Sequence, residues 1–143
     1  MRINQLIQWK PDFILSPKYY ITDIVDDFKI FTVTLTDSLN PEIQILAEFK
    51  ALMFSYKTTM LSSRTLTLKN LAQNHGNSFA TEWTFFKLLN STYAKQLSAE
   101  SFGFIEFEEL IHHVFIADNI IAEFITYEDP VFNFIKSNQN QEN

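Results

Sequence analysis

The chain has 143 residues, no cysteine and a formal net charge of −6 at pH 7. Its length is typical of one domain, and 46% hydrophobic with 20% charged residues are globular values rather than those of a disordered chain. The absence of cysteine excludes disulfides and thiolate metal sites, and it fits a reducing compartment. The 11 lysines and arginines are scattered singly, so the sequence offers no basic face for nucleic acid. We therefore expect one globular domain over residues 1–136, with a disordered polar tail over residues 137–143.

The N-terminal residues lack the continuous apolar segment and the cleavage site of a signal peptide, which predicts a cytoplasmic protein. No apolar run approaches the roughly 20 residues that a membrane-spanning helix needs, so we expect no membrane segment. A short helix is predicted around Ile3, Leu6 and Ile7, and Pro11 would stop it.

The first half of the chain predicts strands. Residues 19–25 are the first candidate, and Asp26 and Asp27 predict the turn that follows, because aspartates bond their own backbone. Residues 29–36 alternate β-branched and aromatic side chains, which is the strongest β signature of the chain. They should pair as an antiparallel hairpin with a strand over residues 42–58, in which both faces become apolar beyond Lys50. That change predicts either a bulge or a second buried surface.

The second half predicts the main helix. Residues 59–79 show no clear pattern, and their role stays open. Residues 80–100 carry an apolar stripe with the spacing of a helix that docks on a sheet. The stripe consists of Trp83, Phe86, Asn90, Tyr93 and Leu97, widened by Phe85, Leu88 and Leu89.

Asp118 and Asn119 predict a two-residue turn between strands of residues 107–117 and 120–127, with Ala117 facing Ile120. One face then holds Ile111, His113, Phe115, Ala117, Ile120, Ala122 and Phe124, and the other holds Leu110, His112, Val114, Ile116, Ile121, Glu123 and Ile125. Both faces are mostly apolar, so both need a cover. The candidate covers of the second face are the N-terminal segment, residues 59–79, residues 131–135 or a second copy of the chain. We expect a symmetric homodimer to bury part of it.

Together these elements predict an α+β fold. It would contain an antiparallel sheet of four or five strands, with one main helix packed on a face.

No pattern in the sequence predicts a metal, a cofactor or a catalytic residue. His112 and His113 are adjacent on a strand, so they point to opposite faces and cannot chelate one ion. Two glycines cannot build a phosphate-binding loop, and no serine lies in a G-x-S-x-G motif. Glu106 and Glu108, two residues apart on the predicted strand with Glu109 beside them, could act as acid and base or hold Mg²⁺. A solvated acidic strand end or a partner-facing acidic patch are the alternatives.

The C-terminal half contains Trp83, Asn90-Ser91-Thr92-Tyr93, Ser101-Phe102-Gly103, His112-His113-Val114-Phe115-Ile116 and Asp129-Pro130-Val131. In these residues it resembles a loose group of small bacterial proteins of unknown function, in which an aromatic helix ending near S-x-G leads into a His-aromatic hairpin. Some members of that group are similar to immunity proteins that neutralise a toxin. The resemblance implies a non-enzymatic role and carries over no catalytic residue.

Two hypotheses on function follow. In the first, an acidic surface binds a basic protein partner, as an immunity-like inhibitor would. Its candidate residues are Asp26, Asp27, Glu106, Glu108 and Glu109. In the second, the chain is a small-ligand-binding protein or an enzyme with a pocket between helix and sheet. Its candidate residues are Tyr56, Arg64 and His112.

Overall fold

The computed structural model describes residues 3–50, 52–60, 73, 76 and 82–135. In chain order the elements are β1 (Gln5–Gln8), β2 (Tyr19–Asp26), β3 (Phe31–Asp37), β4 (Gln44–Phe49), β5 (Met53–Met60), β6 (Phe85–Leu89), α1 (Thr92–Glu100), a 3-10 turn (Phe107–Glu109), β7 (Ile111–Ile116), β8 (Ile120–Thr126) and β9 (Val131–Phe134). They form a five-stranded sheet of order β1-β6-β7-β8-β5 and a four-stranded sheet of order β2-β3-β4-β9, both antiparallel. The fold is mixed α+β as predicted, but it has two sheets rather than one.

The two sheets pack face to face through an aromatic core. Phe115 and Phe124 of the five-stranded sheet have ring centroids 5.0 Å apart, and Phe49 of the four-stranded sheet lies 5.0 Å from Phe124. Phe31 also contacts Phe124 at 5.7 Å, with its ring edge-on. Such pairs contribute about 0.5–1.5 kcal/mol each beyond the area that they bury. Aromatic side chains from both sheets therefore fill much of the space between them.

The predicted hairpin of the first half is confirmed, and its second strand divides. β3 pairs with β4 in the register Phe31 opposite Phe49. The chain then leaves the four-stranded sheet after β4, and β5 joins the edge of the five-stranded sheet beside β8. Of the two alternatives predicted beyond Lys50, the bulge is found, as a register shift between Met53 and Ser55. No residue of β5 is fully buried.

The predicted β7–β8 hairpin is confirmed, including its turn and its two buried faces. The N–H of Ala117 donates to the carbonyl of Ile120 at 3.0 Å, and Ile116 faces Ile121. The side turned away from the four-stranded sheet, here called the outer face, has its apolar side chains fully buried within a single chain. Val114, Ile116, Ile121 and Ile125 are each 0% exposed. These four residues are thus buried without a second copy of the chain. The homodimer stays a prediction, but the need to cover this face no longer supports it.

Two predicted helices are wrong in whole or in part. Residues 5–8 form β1 instead of a helix, and residues 85–89 form β6, so the main helix begins only at Thr92. β6 lies between β1 and β7, where Phe85 and Phe86 are both 0% exposed on opposite faces. A strand that is buried on both faces has a continuous apolar run, and such a run also satisfies helical spacing.

The strand predicted from residue 107 begins at Ile111, because residues 107–109 form the 3-10 turn. The predicted tail over residues 137–143 and most of the segment 59–79 lie outside the described residues.

Ile121→Ala is expected to lower the free energy of unfolding by about 2–5 kcal/mol, because it leaves a cavity at a fully buried position. Ile14→Ala is the matched control, since Ile14 is 86% exposed and its truncation should change stability by less than about 0.5 kcal/mol. Urea denaturation measures the free energy of unfolding of both variants. Equal losses of stability in Ile121→Ala and Ile14→Ala would contradict the burial of the outer face.

Candidate functional site

Three polar side chains form a buried chain of hydrogen bonds on the outer face of the five-stranded sheet. The hydroxyl of Ser91 lies 2.7 Å from Nδ1 of His112, and Nε2 of His112 lies 2.8 Å from Oε1 of Glu123. The three residues are 2%, 3% and 4% exposed. Water is therefore nearly excluded from these contacts.

Ser91 is positioned by the turn from strand to helix. Asn90 follows β6 with φ 53°, a left-handed conformation that asparagine tolerates. Ser91 then caps α1, and its hydroxyl accepts the N–H of Ala94 at 3.0 Å. The side chain of Asn4 accepts the N–H of Thr92 at 2.9 Å, which ties the same turn to the N-terminal segment. The serine hydroxyl is thereby fixed above β7.

His112 and Glu123 are brought together by the register of the hairpin. Val114 faces Glu123 and His112 faces Ile125, so His112 and Glu123 are diagonal neighbours on one face. Nζ of Lys57 lies 3.8 Å from the other carboxylate oxygen of Glu123, which favours its ionised form. An ionised carboxylate only accepts hydrogen bonds, so Nε2 carries the ring proton and Nδ1 accepts the hydroxyl of Ser91. The chain therefore runs from hydroxyl to imidazole to carboxylate.

A cleft of about 590 Å³ opens beside this chain. It lies between the end of β6, α1, the 3-10 turn and the start of β7. Ser91 and His112 line it together with six apolar side chains and three polar ones, which are Leu88, Leu89, Ala94, Phe107, Leu110 and Ile111, and Lys87, Asn90 and Glu108. Ser91 and His112 thus border the cleft, although each is almost fully buried.

Of the two predicted pocket residues that the structure describes, one lies at this cleft. His112 lines it, whereas the ring of Tyr56 lies 4.9 Å from Phe31 of the four-stranded sheet and so belongs to the opposite face. Arg64 lies outside the described residues. Ser91 was missed because it fell inside the predicted helix. Glu123 was missed although the predicted register already placed it on the same face as His112.

The predicted acidic residues lie in two loops. Asp26 and Asp27 hold the β2–β3 turn as expected, since they accept the N–H groups of Phe28 at 3.1 Å and of Ile30 at 3.1 Å. The other three acids lie between α1 and β7 and are exposed. Glu106 precedes the 3-10 turn that contains Glu108 and Glu109. The strand face on which Glu106 and Glu108 were predicted to act as a pair does not exist.

Three phenylalanines beside these acids are almost fully exposed. Phe28, Phe102 and Phe104 are 99%, 94% and 90% exposed. Phe28 and Phe102 have positive φ angles of 81° and 55°, which are unfavourable for a bulky residue. Each acidic loop thus presents at least one bare aromatic ring.

His113 lies on the inner face, opposite His112, as the sequence predicts. It is 0% exposed, and its ring centroid lies 4.8 Å from that of Trp9. Its Nε2 contacts Oδ1 of Asp129 at 3.2 Å without the alignment of a good hydrogen bond, and Nζ of Lys87 contacts the same oxygen at 2.9 Å. Burial lowers the pKa of His113, and the contact with His113, followed by that with Lys87, lowers the pKa of Asp129 to about 2.

The described part of the chain contains no group of three histidine, aspartate or glutamate side chains that could hold a metal ion. In the same residues, no helix is long and apolar enough to cross a membrane.

No model of a protein family matches the chain, and neither a curated protein nor a solved structure is significantly similar to it. Its function must therefore be argued from its own geometry.

Acid is expected to destabilise the protein in two separate pH windows. The unfolded chain binds a proton at His113 below about pH 6.5 and the folded chain resists it, so stability falls as pH decreases through this window. The contribution of Asp129 is present above its unfolded pKa of 3.8 and is lost as pH falls through about 2.

Urea denaturation of two variants at several pH values separates these windows. His113→Phe should flatten the dependence that begins below about pH 6.5, and it should also weaken the dependence below about pH 4, because it removes the contact that most lowers the pKa of Asp129. Asp129→Asn should flatten the dependence mainly below about pH 4. An unchanged profile in His113→Phe would show that His113 does not titrate in this way.

Proposed function

We propose that the protein binds a basic partner protein at one end of its sandwich, as an immunity-like inhibitor would. We call the binding site the acidic-aromatic surface. It comprises Asp26, Asp27 and Phe28 at the end of β2 and in the turn to β3, and Phe102, Phe104, Glu106, Glu108 and Glu109 of residues 101–110.

The observation that carries the proposal is the exposure of the three rings. A phenylalanine that stays in water forgoes about 1.5–3 kcal/mol of burial, and left-handed backbone costs a non-glycine residue about 1–2 kcal/mol. Phe28 and Phe102 combine both costs, and among the described residues their rings stay almost fully exposed. Strain of this kind is often found at functional sites. A partner that covers the rings would recover the burial term.

Both loops of the surface lie at the same end of the sandwich. Phe28 and Met53 line one shallow cleft of about 320 Å³. Met53 pairs with Thr126, and Thr126 pairs with Ile111, the residue at which β7 begins after residues 101–110. A single partner can therefore contact both loops.

The charge of the surface favours a basic partner. The side chains of Glu106, Glu108 and Glu109 have no hydrogen-bond or ion-pair partner in the part of the chain that the structure describes. Lys29 adds one positive charge in the β2–β3 turn, which the two aspartates outnumber. A second copy of the chain would bring the same negative charges, so repulsion disfavours self-association here. Oppositely charged partners are instead steered to such a surface.

The remaining parts of the proposal are a bacterial source and a cytoplasmic location. They are supported by the resemblance of the C-terminal half and by the absence of cysteine.

Site-specific photo-crosslinking in the native cells tests this surface. A photoreactive phenylalanine at position 28 or 102 is expected to capture one basic protein, while the same group at exposed Ile14 should not. The captured protein is then purified and titrated with wild-type chain and variants. Phe102→Ala should weaken binding at least about tenfold, mainly through faster dissociation.

A pair of charge reversals provides the matched control. Glu109→Lys should weaken binding at least about tenfold, with slower association and a reduced salt dependence. Glu42→Lys reverses one exposed charge in the β3–β4 connection, at the opposite end of the four-stranded sheet, and should leave affinity unchanged. Equal effects of both reversals, or equal crosslinking from position 14, would reject the acidic-aromatic surface as the binding site.

A further inference from the structure

The order of groups in the buried polar chain is that of a serine hydrolase. A hydroxyl contacts an imidazole at 2.7 Å, and a carboxylate holds the other ring nitrogen at 2.8 Å. A serine is activated as a nucleophile when an adjacent base can take its proton and a third group orients that base. The ring of His112 presents Nδ1 to Ser91, and either ring nitrogen can serve as the base while the other carries its proton.

A helix cap explains only part of this arrangement. Capping of α1 requires the hydroxyl of Ser91 and the N–H of Ala94, and it needs neither His112 nor Glu123. These two occupy a face whose neighbouring residues, Val114 and Ile125, are apolar and fully buried. Replacing both partners of a buried hydrogen bond by apolar groups of the same shape can be nearly neutral or stabilising, so fold stability does not require this one.

The adjoining cleft is suited to an apolar substrate. Its volume of about 590 Å³ lies within the range of roughly 300–1,000 Å³ that small-molecule sites occupy. Leu88, Leu89, Phe107, Leu110 and Ile111 supply apolar walls, Ser91 and His112 lie at the buried side, and Lys87, Asn90 and Glu108 add polar groups. Ser91 also lies at the N-terminus of α1, where the helix dipole stabilises negative charge on a substrate oxygen.

We propose that Ser91, His112 and Glu123 form a hydrolytic site for carboxylic esters with an apolar acyl group. Oγ of Ser91 attacks the acyl carbon, and Nδ1 of His112 takes the hydroxyl proton. His112 returns that proton to the leaving alcohol as the ester C–O bond breaks, which leaves an acyl ester on Ser91. Water then attacks this ester with His112 again as the base, releasing the carboxylic acid and restoring Ser91. Glu123 is a positioning residue that holds the ring of His112.

This activity goes beyond the partner-binding role and uses different reacting residues, while Glu108 of the acidic-aromatic surface also lines the cleft. It departs from the expectation from the sequence that the chain carries no catalytic residue.

The full chain is tested with an alkyl fluorophosphonate, which reacts with activated serines, and with p-nitrophenyl butyrate as substrate. Mass spectrometry should locate one label on Ser91, and ester turnover should accompany it. Ser91→Asn removes the nucleophile but keeps a residue that caps helices equally well, so the fold is retained. This variant and His112→Gln should each lose label and lower turnover at least about a hundredfold.

Three further variants separate the chemistry from fold and from binding. Glu123→Gln should lower kcat about ten- to a hundredfold with KM unchanged, which a loss of stability alone would not produce. Ser101→Ala removes a serine beyond the other end of α1 and should leave labelling and turnover unchanged. Ala94→Trp fills the cleft and should block both.

Three outcomes would overturn the proposal. They are absence of label and turnover in the folded wild-type chain, label on another serine, and undiminished turnover in Ser91→Asn. Crosslinking of the partner at position 28 or 102 is independent of all three, so failure here leaves the acidic-aromatic surface to its own test.

Discussion

The β7–β8 hairpin imposes the constraint on which the rest of the fold depends. Its side chains alternate between two faces, and apolar residues occupy both, so neither face can be left in water. Phe115 and Phe124 direct one face to the four-stranded sheet, which covers it with Phe31 and Phe49. On the other face, Val114, Ile116 and Ile121 form a second buried cluster with Leu6, Phe86 and Leu88 of the neighbouring strands β1 and β6. A fold with one sheet exposed on one side, like many antiparallel folds, is thus unavailable to this sequence.

The sequence predicted correctly those elements that a few neighbouring residues determine. The Asp118-Asn119 turn and the alternation in β3 depend on a few adjacent residues, and both were found where the sequence places them. The sequence predicted a helix for the residues of β6 because an almost continuous apolar run satisfies both the spacing of a strand and that of a helix. These residues form a strand because they pair with Gln5–Gln8 of β1, about 80 positions away along the chain. The residues next to β6 in the sequence do not indicate that pairing. The same long-range choice separates β4 from β5 into different sheets.

The candidate site was predictable to a similar extent. His112 was singled out from the sequence, and the predicted register places Glu123 diagonally across from it, so two of the three groups follow from the hairpin alone. Ser91 does not, because its position depends on where β6 ends and α1 begins. The five acidic residues were predicted as a binding surface from their charge. The exposure of Phe28 and Phe102 depends on turn geometry that the sequence does not reveal.

The two ends of the sandwich differ in a way that concerns function. At the end that carries the β7–β8 turn, structural hydrogen bonds join the sheets. The side-chain amide of Asn119 bonds both backbone groups of Ile21, at 3.0 and 2.8 Å, and Nζ of Lys18 donates to the carbonyl of Ile116 at 2.6 Å. At the other end lie exposed rings on strained backbone, carboxylates without a partner among the described residues, and a polar chain buried in an apolar face. Sequences depart from the rules of stable folding mostly where function requires it. The grouping of these features at one end, with the opposite end fastened by hydrogen bonds, supports the proposal that a rigid scaffold presents its binding surface there.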